Sequence, residues 1–390
     1  MTDALLTLNA GSSSLKFAVF DPRSLACHGR GGVEALGGDA RLHFRPAEGE
    51  AMARELGRGG GEPHLGALTA ALGLLGERLP GLAVRAVGHR IVHGGADYSA
   101  PAPIDDAVYA ALAKLEPLAP LHQPHNLAGV RAARALFPQA AQIACFDTAF
   151  HHGHAFVADA YALPREMVDA GLRRYGFHGL SYEYVAGRLR EIAPEVADGR
   201  VIIAHLGNGA SMCALREGRS VATTMGFSTL DGLPMGTRPG QLDPGVLLYL
   251  MTAKGYDAAG LNDLLYHRSG LKGLSGVSND WREIEAAGTA RARDAIAYFV
   301  HRLVYEIGGL TATLGGLDAL VFTGGIGENA TALRAAVAAR LGWLGLALDE
   351  AANAAARTRI STPASRLAMF VAPTDEERQI AGHTAKIAFG

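Results

Sequence analysis

Residues 4–20, ALLTLNAGSSSLKFAVF, place an apolar run, a polar turn and a second apolar run in succession. Ala4–Leu8 and Leu15–Phe20 read as strands and Asn9–Ser14 as the turn between them. That is a β-hairpin start rather than a strand feeding a helix. Residues 201–216, VIIAHLGNGASMCALR, repeat the arrangement: strand Val201–His205, turn Leu206–Ser211, strand Met212–Arg216. Asn9–Ala10–Gly11–Ser12 and Asn208–Gly209–Ala210–Ser211 lie about 200 residues apart, a distance that points to an internal duplication of a nucleotide-handling unit.

Outward from the two hairpins, strands and helices alternate. Leu65–Arg78, Ile104–Leu115 and Leu127–Leu136 read as helices. Ala86–Val92 and Ala141–Phe146 read as strands ending at His93–Gly94–Gly95 and at Asp147. Residues 41–64 mix charge and glycine and read as an exposed excursion, with Arg58–Gly59–Gly60–Gly61 as a surface insert. Ala319–Thr323 runs into a third glycine-rich turn, Gly324–Asn329, followed by an Ala-rich helix through Leu341. A last strand, Leu367–Val371, leads to a final helix. The alternation predicts an α/β class. At 390 residues the chain exceeds the ~250–300 at which one core stops growing, so two domains with a cleft between them are expected. The boundaries are drawn at 1–147, joined by 375–390, and at 148–374.

Composition narrows the function. A net charge of -2 offers no basic field for nucleic acid. Cys27, Cys145 and Cys213 are odd in number and lack C-x-x-C spacing, which argues against a disulfide framework or a zinc site. No apolar run reaches the ~18 residues of a membrane span, and Met1–Thr2–Asp3 lacks a basic leader. A soluble, cytoplasmic protein is expected.

Phosphates need many N–H donors at close range, and turns such as Asn9–Ser14, Leu206–Ser211 and Gly324–Asn329 supply them. No G-x-x-x-x-G-K-[ST] occurs, which excludes a P-loop enzyme. Gly325–Ala330 fits a loose G-x-G-x-x-A fingerprint with Asp349 near the ribose-binding distance, so an NAD-linked dehydrogenase is a rival reading. Lys16, just past the first turn, either points at a phosphate or is a solvated strand lysine. Arg90 and Arg238 are boxed by glycine and proline, which suits forks aimed at carboxylate or phosphate. Asp147 at a strand's C-terminal end either holds Mg²⁺, positions a reactant or caps a helix. His178, in a glycine-flanked loop, could steady charge on a transferring phosphoryl group. His151, His152 and His154 are spaced too closely to ring one metal and read as ordinary polar or packing residues, as do His122 and His125.

The ordered strings NAGSSSLK, GHRIVHGG, FDTAFH, RRYGFHG, HLGNGAS, LDGLPMGTRPG and FTGGIGEN run over nearly the whole chain. Together they resemble the acetate kinase family within the acetate/propionate/butyrate kinase group. The resemblance implies two duplicated actin-like (ribonuclease H-like) α/β domains, with mixed sheets flanked by helices and an interdomain cleft. It implies Mg²⁺-dependent (or Mn²⁺-dependent) transfer of a phosphoryl group between ATP and acetate, giving acetyl phosphate and ADP, in a homodimer. It places Asn9 and Glu376 at the metal and Lys16 at the nucleotide phosphates. Arg90 would take the substrate carboxylate, with Asp147, His178 and Arg238 at the catalytic centre. His205, Leu206, Gly207, Asn208 and Gly209, then Asp280, Trp281 and Arg282, then Gly325, Ile326, Gly327, Glu328 and Asn329 would line the nucleotide site. Asp375 stands where the family often has Asn, which leaves Glu376 and Glu377 both open as the metal-side carboxylate.

Acetate is ionised at neutral pH and needs no general base. It needs delivery against charge repulsion, which cations and N–H donors fixed in advance provide. The rivals are a propionate or butyrate kinase with a larger pocket, and an actin-like chaperone that turns over ATP without a carboxylate.

Overall fold

A computed structural model of the chain describes residues 2–57 and 62–390; the surface insert expected at Arg58–Gly61 lies outside them. The chain divides into two compact units, Met1–Phe150 with Asp375–Gly390, and His151–Thr374.

The first unit is built on an eight-stranded sheet: β1 (Thr2–Ala10), β2 (Ser14–Phe20), β3 (Cys27–Glu34), β4 (Ala40–Pro46), β5 (Met52–Gly57), β6 (Leu82–Ile91), β7 (Ala102–Pro103) and β8 (Ala141–Phe146), in the order β5-β4-β3-β2-β1-β6-β8-β7. β1 to β5 form an antiparallel meander, whereas β1, β6 and β8 run parallel. Helices α1 (Pro63–Arg78) and α3 (Gln123–Leu136), with α2 (Asp106–Ala113) beside them, complete this part of the chain. Leu6, Leu8, Leu15 and Phe17 form one core with Leu68 and Leu74 of α1 and Ala132 of α3. Leu5, Ala18 and Phe20, on the opposite face, pack on Ala381 of a return helix, Glu376–Ala388. Burial on both faces explains why β1 reads as an unbroken apolar run.

Gly88 sets how closely the return helix lies on β6. A Cβ there would overlap Thr384 Oγ1 and stand 2.6 Å from Ile380 Cγ2. The helix therefore begins, at Glu376, on the sheet face from which Arg90 projects two residues further along.

The second unit repeats the plan. β9 (Arg200–Leu206), β10 (Ala210–Arg216), β11 (Arg219–Thr223), β12 (Ala319–Thr323) and β13 (Ala368–Val371) lie in the order β11-β10-β9-β12-β13. β9–β11 are antiparallel and β9, β12 and β13 parallel, as are β1–β3 and β1, β6 and β8. Its helices include α4 (Gly179–Ile192), α5 (Pro244–Lys254), α6 (Trp281–Ala287), α7 (Ala290–Leu314), α8 (Gly324–Asn329) and α9 (Thr331–Ala339). Two duplicated actin-like α/β domains with mixed sheets, as the resemblance implies, are what the chain forms.

Two expectations are corrected. Residues 41–57 are no excursion: β4 and β5 extend the sheet, and the alternation of β4 buries Leu42 and Phe44. The glycines of β3 disguise the neighbouring strand. A Cβ at Gly31 would lie 2.7 Å from Phe17 Cζ and one at Gly29 2.8 Å from Phe44 Cε2, so these glycines make room for the stacked Phe17–Phe44 pair (6.1 Å). The third glycine-rich segment, Gly324–Asn329, is a helical turn rather than an open loop. Gly324 enters it at φ +78, tight against the Leu206 backbone.

Candidate active site

In the first unit the predicted residues gather where the parallel strands end and the return helix begins. Asn9, at the end of β1, pairs in register with Lys16 of β2. Both stand on the face covered by the return helix, as does Arg90 near the end of β6. Asp147 follows β8, where its backbone N–H donates to the Ile91 carbonyl. It caps no helix. Its buried carboxylate takes two parallel bonds from Arg90, Nε to Oδ1 at 3.0 Å and Nη2 to Oδ2 at 2.6 Å. Glu376 Oε2 lies 3.7 Å from Arg90 Nε. Burial opposes the charge on Arg90, but Asp147 and then Glu376 outweigh it and hold the guanidinium pKa above its ordinary value. One edge of the Arg90 fork is thus committed to Asp147.

The two neighbouring glutamates part company. Glu376 faces Arg90, while Glu377 lines a groove of about 380 Å³ with Lys16, Arg30 and Arg45. Lys16 therefore opens onto that groove rather than onto the Arg90–Asp147 pair. The resemblance implies Mg²⁺ here. Among the described residues no cluster of three His, Cys, Asp or Glu side chains is placed to hold an ion. Glu376 and Asn9 do offer hard oxygen donors on one face. So few protein ligands suits Mg²⁺, which keeps several waters and shares phosphate oxygens.

In the second unit, His178 precedes α4 with φ 59, a left-handed conformation that a non-glycine residue adopts only when its surroundings impose it. Its Nδ1 bonds Ser211 Oγ at 2.8 Å, and its ring stacks on His205 at 4.3 Å. His205 is held by Ser181 Oγ at 2.8 Å and pairs with Ser211 across β9 and β10. Arg238 arrives from the loop after β11. A Cβ at Gly209 would lie 3.0 Å from Arg238 Nη2 and 3.3 Å from His178 Nε2, so both side chains converge on the Gly209 backbone. Arg238 Nη1 donates to the Thr229 carbonyl at 2.9 Å, and no carboxylate pairs with it among the described residues. Burial lowers its pKa to about 10. A desolvated, uncompensated cation is prepared for an anion.

Beside this pair is a cavity of about 630 Å³ lined by Gly207, Asn208, Asp280, Trp281, Arg282, Gly325, Ile326 and Asn329 from the predicted set. Asp280 caps α6 and also forks with Arg282, which with the Arg282 backbone lowers its pKa to about 2. Several predicted lining residues do not reach the cavity. His205 is turned toward Ser181 and His178. Leu206 is buried, and Gly209 lies under Arg238 and His178. Gly327 is buried against the sheet, its carbonyl taking Arg334 Nη1. Glu328 is tied to the fold, accepting from the N–H of Gly324 (2.9 Å) and Thr374 (3.3 Å), where it would not oppose a phosphate.

Sequence reasoning missed Asn279 and Glu285, which also line the cavity. Asn279 Nδ2 donates to Asn208 Oδ1 at 3.2 Å, and its position beside Asp280 was the available signal. Asp349, the ribose partner of the dehydrogenase reading, caps a short helix through the Ala352 N–H instead.

A model of the Acetokinase family matches residues 4–382. The chain is 52% identical to the acetate kinase of Methylocella silvestris over 394 residues, covering 98% of each. It is likewise 52% identical to that of Rhizobium meliloti, covering 98% of each. Among solved structures, Porphyromonas gingivalis acetate kinase superimposes with a TM-score of 0.89 at 40% identity, over 99% of this chain and 100% of that one. A propionate kinase from Francisella tularensis does so with 0.92 at 35% identity, with the same coverage.

Proposed function

The chain belongs to the acetokinase family, and on that footing we propose that it moves a phosphoryl group between ATP and acetate, giving acetyl phosphate and ADP, by direct in-line transfer. The observation that carries the reading is the convergence of Arg238 and His178 on Gly209, with Arg238 desolvated and bonded to a carbonyl rather than a carboxylate. Such donors, fixed before the reaction, stabilise charge on a transferring phosphoryl group at no reorganisation cost. An arginine so used is worth on the order of 10³–10⁵ in rate.

The free edge of Arg90 takes the acetate carboxylate, and Asp147 holds the guanidinium in the one orientation that leaves that edge available. Asp147 removes no proton, because acetate has none to lose. The nucleotide occupies the cavity of Asn208, Asp280, Trp281, Arg282, Gly325 and Asn329, with Lys16 toward its phosphates. Asn9 and Glu376 are the residues that would hold Mg²⁺, or Mn²⁺ in its place. When bound, the ion neutralises charge on the β- and γ-phosphates.

No helix among the described residues is long and apolar enough to cross a membrane, and we place the enzyme in the cytoplasm. The assembly is read as a homodimer. α5 is apolar yet buries no residue, exposing Leu248, Tyr249 and Met251, with Tyr298 and Tyr305 exposed on α7. An apolar face of that kind marks an interaction surface. Light scattering at the mass of one chain would refute the dimer.

The reaction is tested by incubating the protein with ATP, Mg²⁺ and acetate, propionate or butyrate, and trapping acyl phosphate with hydroxylamine. Hydroxamate formed best from acetate is the expected result. The Francisella likeness keeps propionate as the second reading, and a larger yield from propionate would establish it. ATP turnover without hydroxamate would overturn both.

A further inference from the structure

Behind His178 lies a chain of buried polar side chains to which the reaction assigns nothing. Asp159 Oδ1 bonds His154 Nδ1 at 3.0 Å, and its other oxygen pairs with Arg173. His154 Nε2 bonds Ser220 Oγ at 2.8 Å, and Ser220 Oγ bonds His151 Nδ1 at 2.8 Å. His151 Nε2 then meets the Phe177 carbonyl oxygen at 2.9 Å.

Proton counting fixes the two ends of this chain. A carboxylate and a carbonyl can only accept, so His154 Nδ1 and His151 Nε2 both carry hydrogen. Between the two rings, Ser220 Oγ also meets Cys213 Sγ at 3.1 Å, so the hydroxyl joins both imidazoles and the thiol. Burial, then the neighbouring His154, pushes the His151 pKa down to about 3, so that ring is neutral. Burial would raise the Asp159 pKa, but His154 and Arg173 overcome it and lower it. At its two ends, His154 Nδ1–H donates to Asp159 and His151 Nε2–H donates to the Phe177 carbonyl.

That carbonyl belongs to the peptide that precedes His178 and sets its φ of 59. The His151 ring also presses on the same loop: a Cβ at Gly176 would lie 2.6 Å from His151 Cδ2. The far edge of the ring meets Tyr182 at 5.6 Å, and the Tyr182 hydroxyl shares Ser211 Oγ with His178 Nδ1. Both the backbone and the ring of His178 are thus tied to the same network.

We propose that Asp159, His154, Ser220 and His151 are positioning residues that hold the Phe177–His178 peptide in its left-handed conformation and so aim the His178 imidazole. The inference rests on the reading of His178 given above. None of the four touches a reactant; they act through His178. A left-handed non-glycine residue is strained and persists only while its surroundings hold it, so without the chain the loop would relax and His178 would turn away.

The test is a cycle of variants assayed for kcat and both KM values. Ser220→Ala removes one hydroxyl from a half-buried site and leaves the packing intact. It is expected to lower kcat about tenfold, within the roughly 10–100-fold range of lost outer partners, with both KM values nearly unchanged. Ser220→Thr, which keeps the hydroxyl, is expected to restore most of the rate. In a His178→Ala background, Ser220→Ala is expected to have no further effect. Full kcat in Ser220→Ala, or an equal fall in the His178→Ala background, would overturn the proposal, the latter showing a general structural role. Full kcat in His178→Ala alone would overturn the role of His178 and the inference with it.

Discussion

Arg238→Met is expected to make the protein more stable and nearly inactive. The guanidinium is held at a pKa of about 10 against an ordinary 12.5, with burial as the leading cause. At about 1.4 kcal/mol per pH unit, keeping that charge in place costs up to about 3.5 kcal/mol. Methionine has a similar reach and no charge, so the cost disappears. Against this, the Thr229 carbonyl loses a charge-assisted donor at 2.9 Å, worth roughly 1.5–3 kcal/mol. The balance is a gain of roughly 0.5–2 kcal/mol. In the same variant, kcat is expected to fall on the order of 10³–10⁵, with a smaller change in the KM for ATP. Urea unfolding and hydroxylamine-trapped turnover measure the two effects on one preparation. A variant less stable than the parent would show that Arg238 is already compensated in the fold. A variant that keeps kcat and loses only acetate affinity would show that Arg238 binds the acceptor rather than the transferring group.

Gly88→Ala should destabilise by about 1–3 kcal/mol and lower kcat as well, because the return helix must lift from β6 and carry Glu376 away from Arg90; unchanged urea midpoint and rate would mean the helix is not pressed there. Acid should weaken the fold before carboxylates titrate. His89 and His93 are held down to about 4 by burial and His151 to about 3, so the folded state keeps them neutral while the unfolded chain takes up protons below about 6.5. Their contribution is full above that value and declines as pH falls toward about 4, by about 1.4 kcal/mol per unit for each residue. Denaturant titrations at pH 7.5, 6 and 5 read the slope, and equal stability at pH 7.5 and 5 would refute it.

The duplication was legible because both hairpins carry the same local signal: an apolar strand, an Asn-containing turn and an apolar strand, with the turn residues at matching places. β3 and β4 were not legible. In β3, glycines replace side chains to admit the rings of Phe17 and Phe44, a demand set by strands distant in sequence. β4 does alternate, but its outward Arg41, His43 and Arg45 made it look like loop.

At the site, Arg90, Asp147, His178 and Arg238 stood out because glycine, proline or a strand end fixes their backbone. What the sequence concealed were pairings. Nothing local reveals that Asp147 faces Arg90 across two strands, that Glu328 turns inward to its own chain, or that Ser220 joins His151 to His154. The histidines read as ordinary polar or packing residues are hydrogen-bonded to a serine about 70 residues away, a pairing that their own spacing does not show.

The return helix carries a consequence for biosynthesis. The sheet of the first unit is made early in translation, but the helix that covers the Leu5–Phe20 face and brings Glu376 to Arg90 emerges after the whole second unit. The usual N-to-C order of domain completion is thereby reversed: residues 151–374 form a continuous stretch and can close first, while the earlier sheet waits with an apolar face bare. Premature termination anywhere before residue 376 leaves a product that lacks both that cover and that carboxylate. Such a fragment displays the sticky surface that chaperones and proteases recognise, and it cannot assemble the carboxylate pair around Arg90.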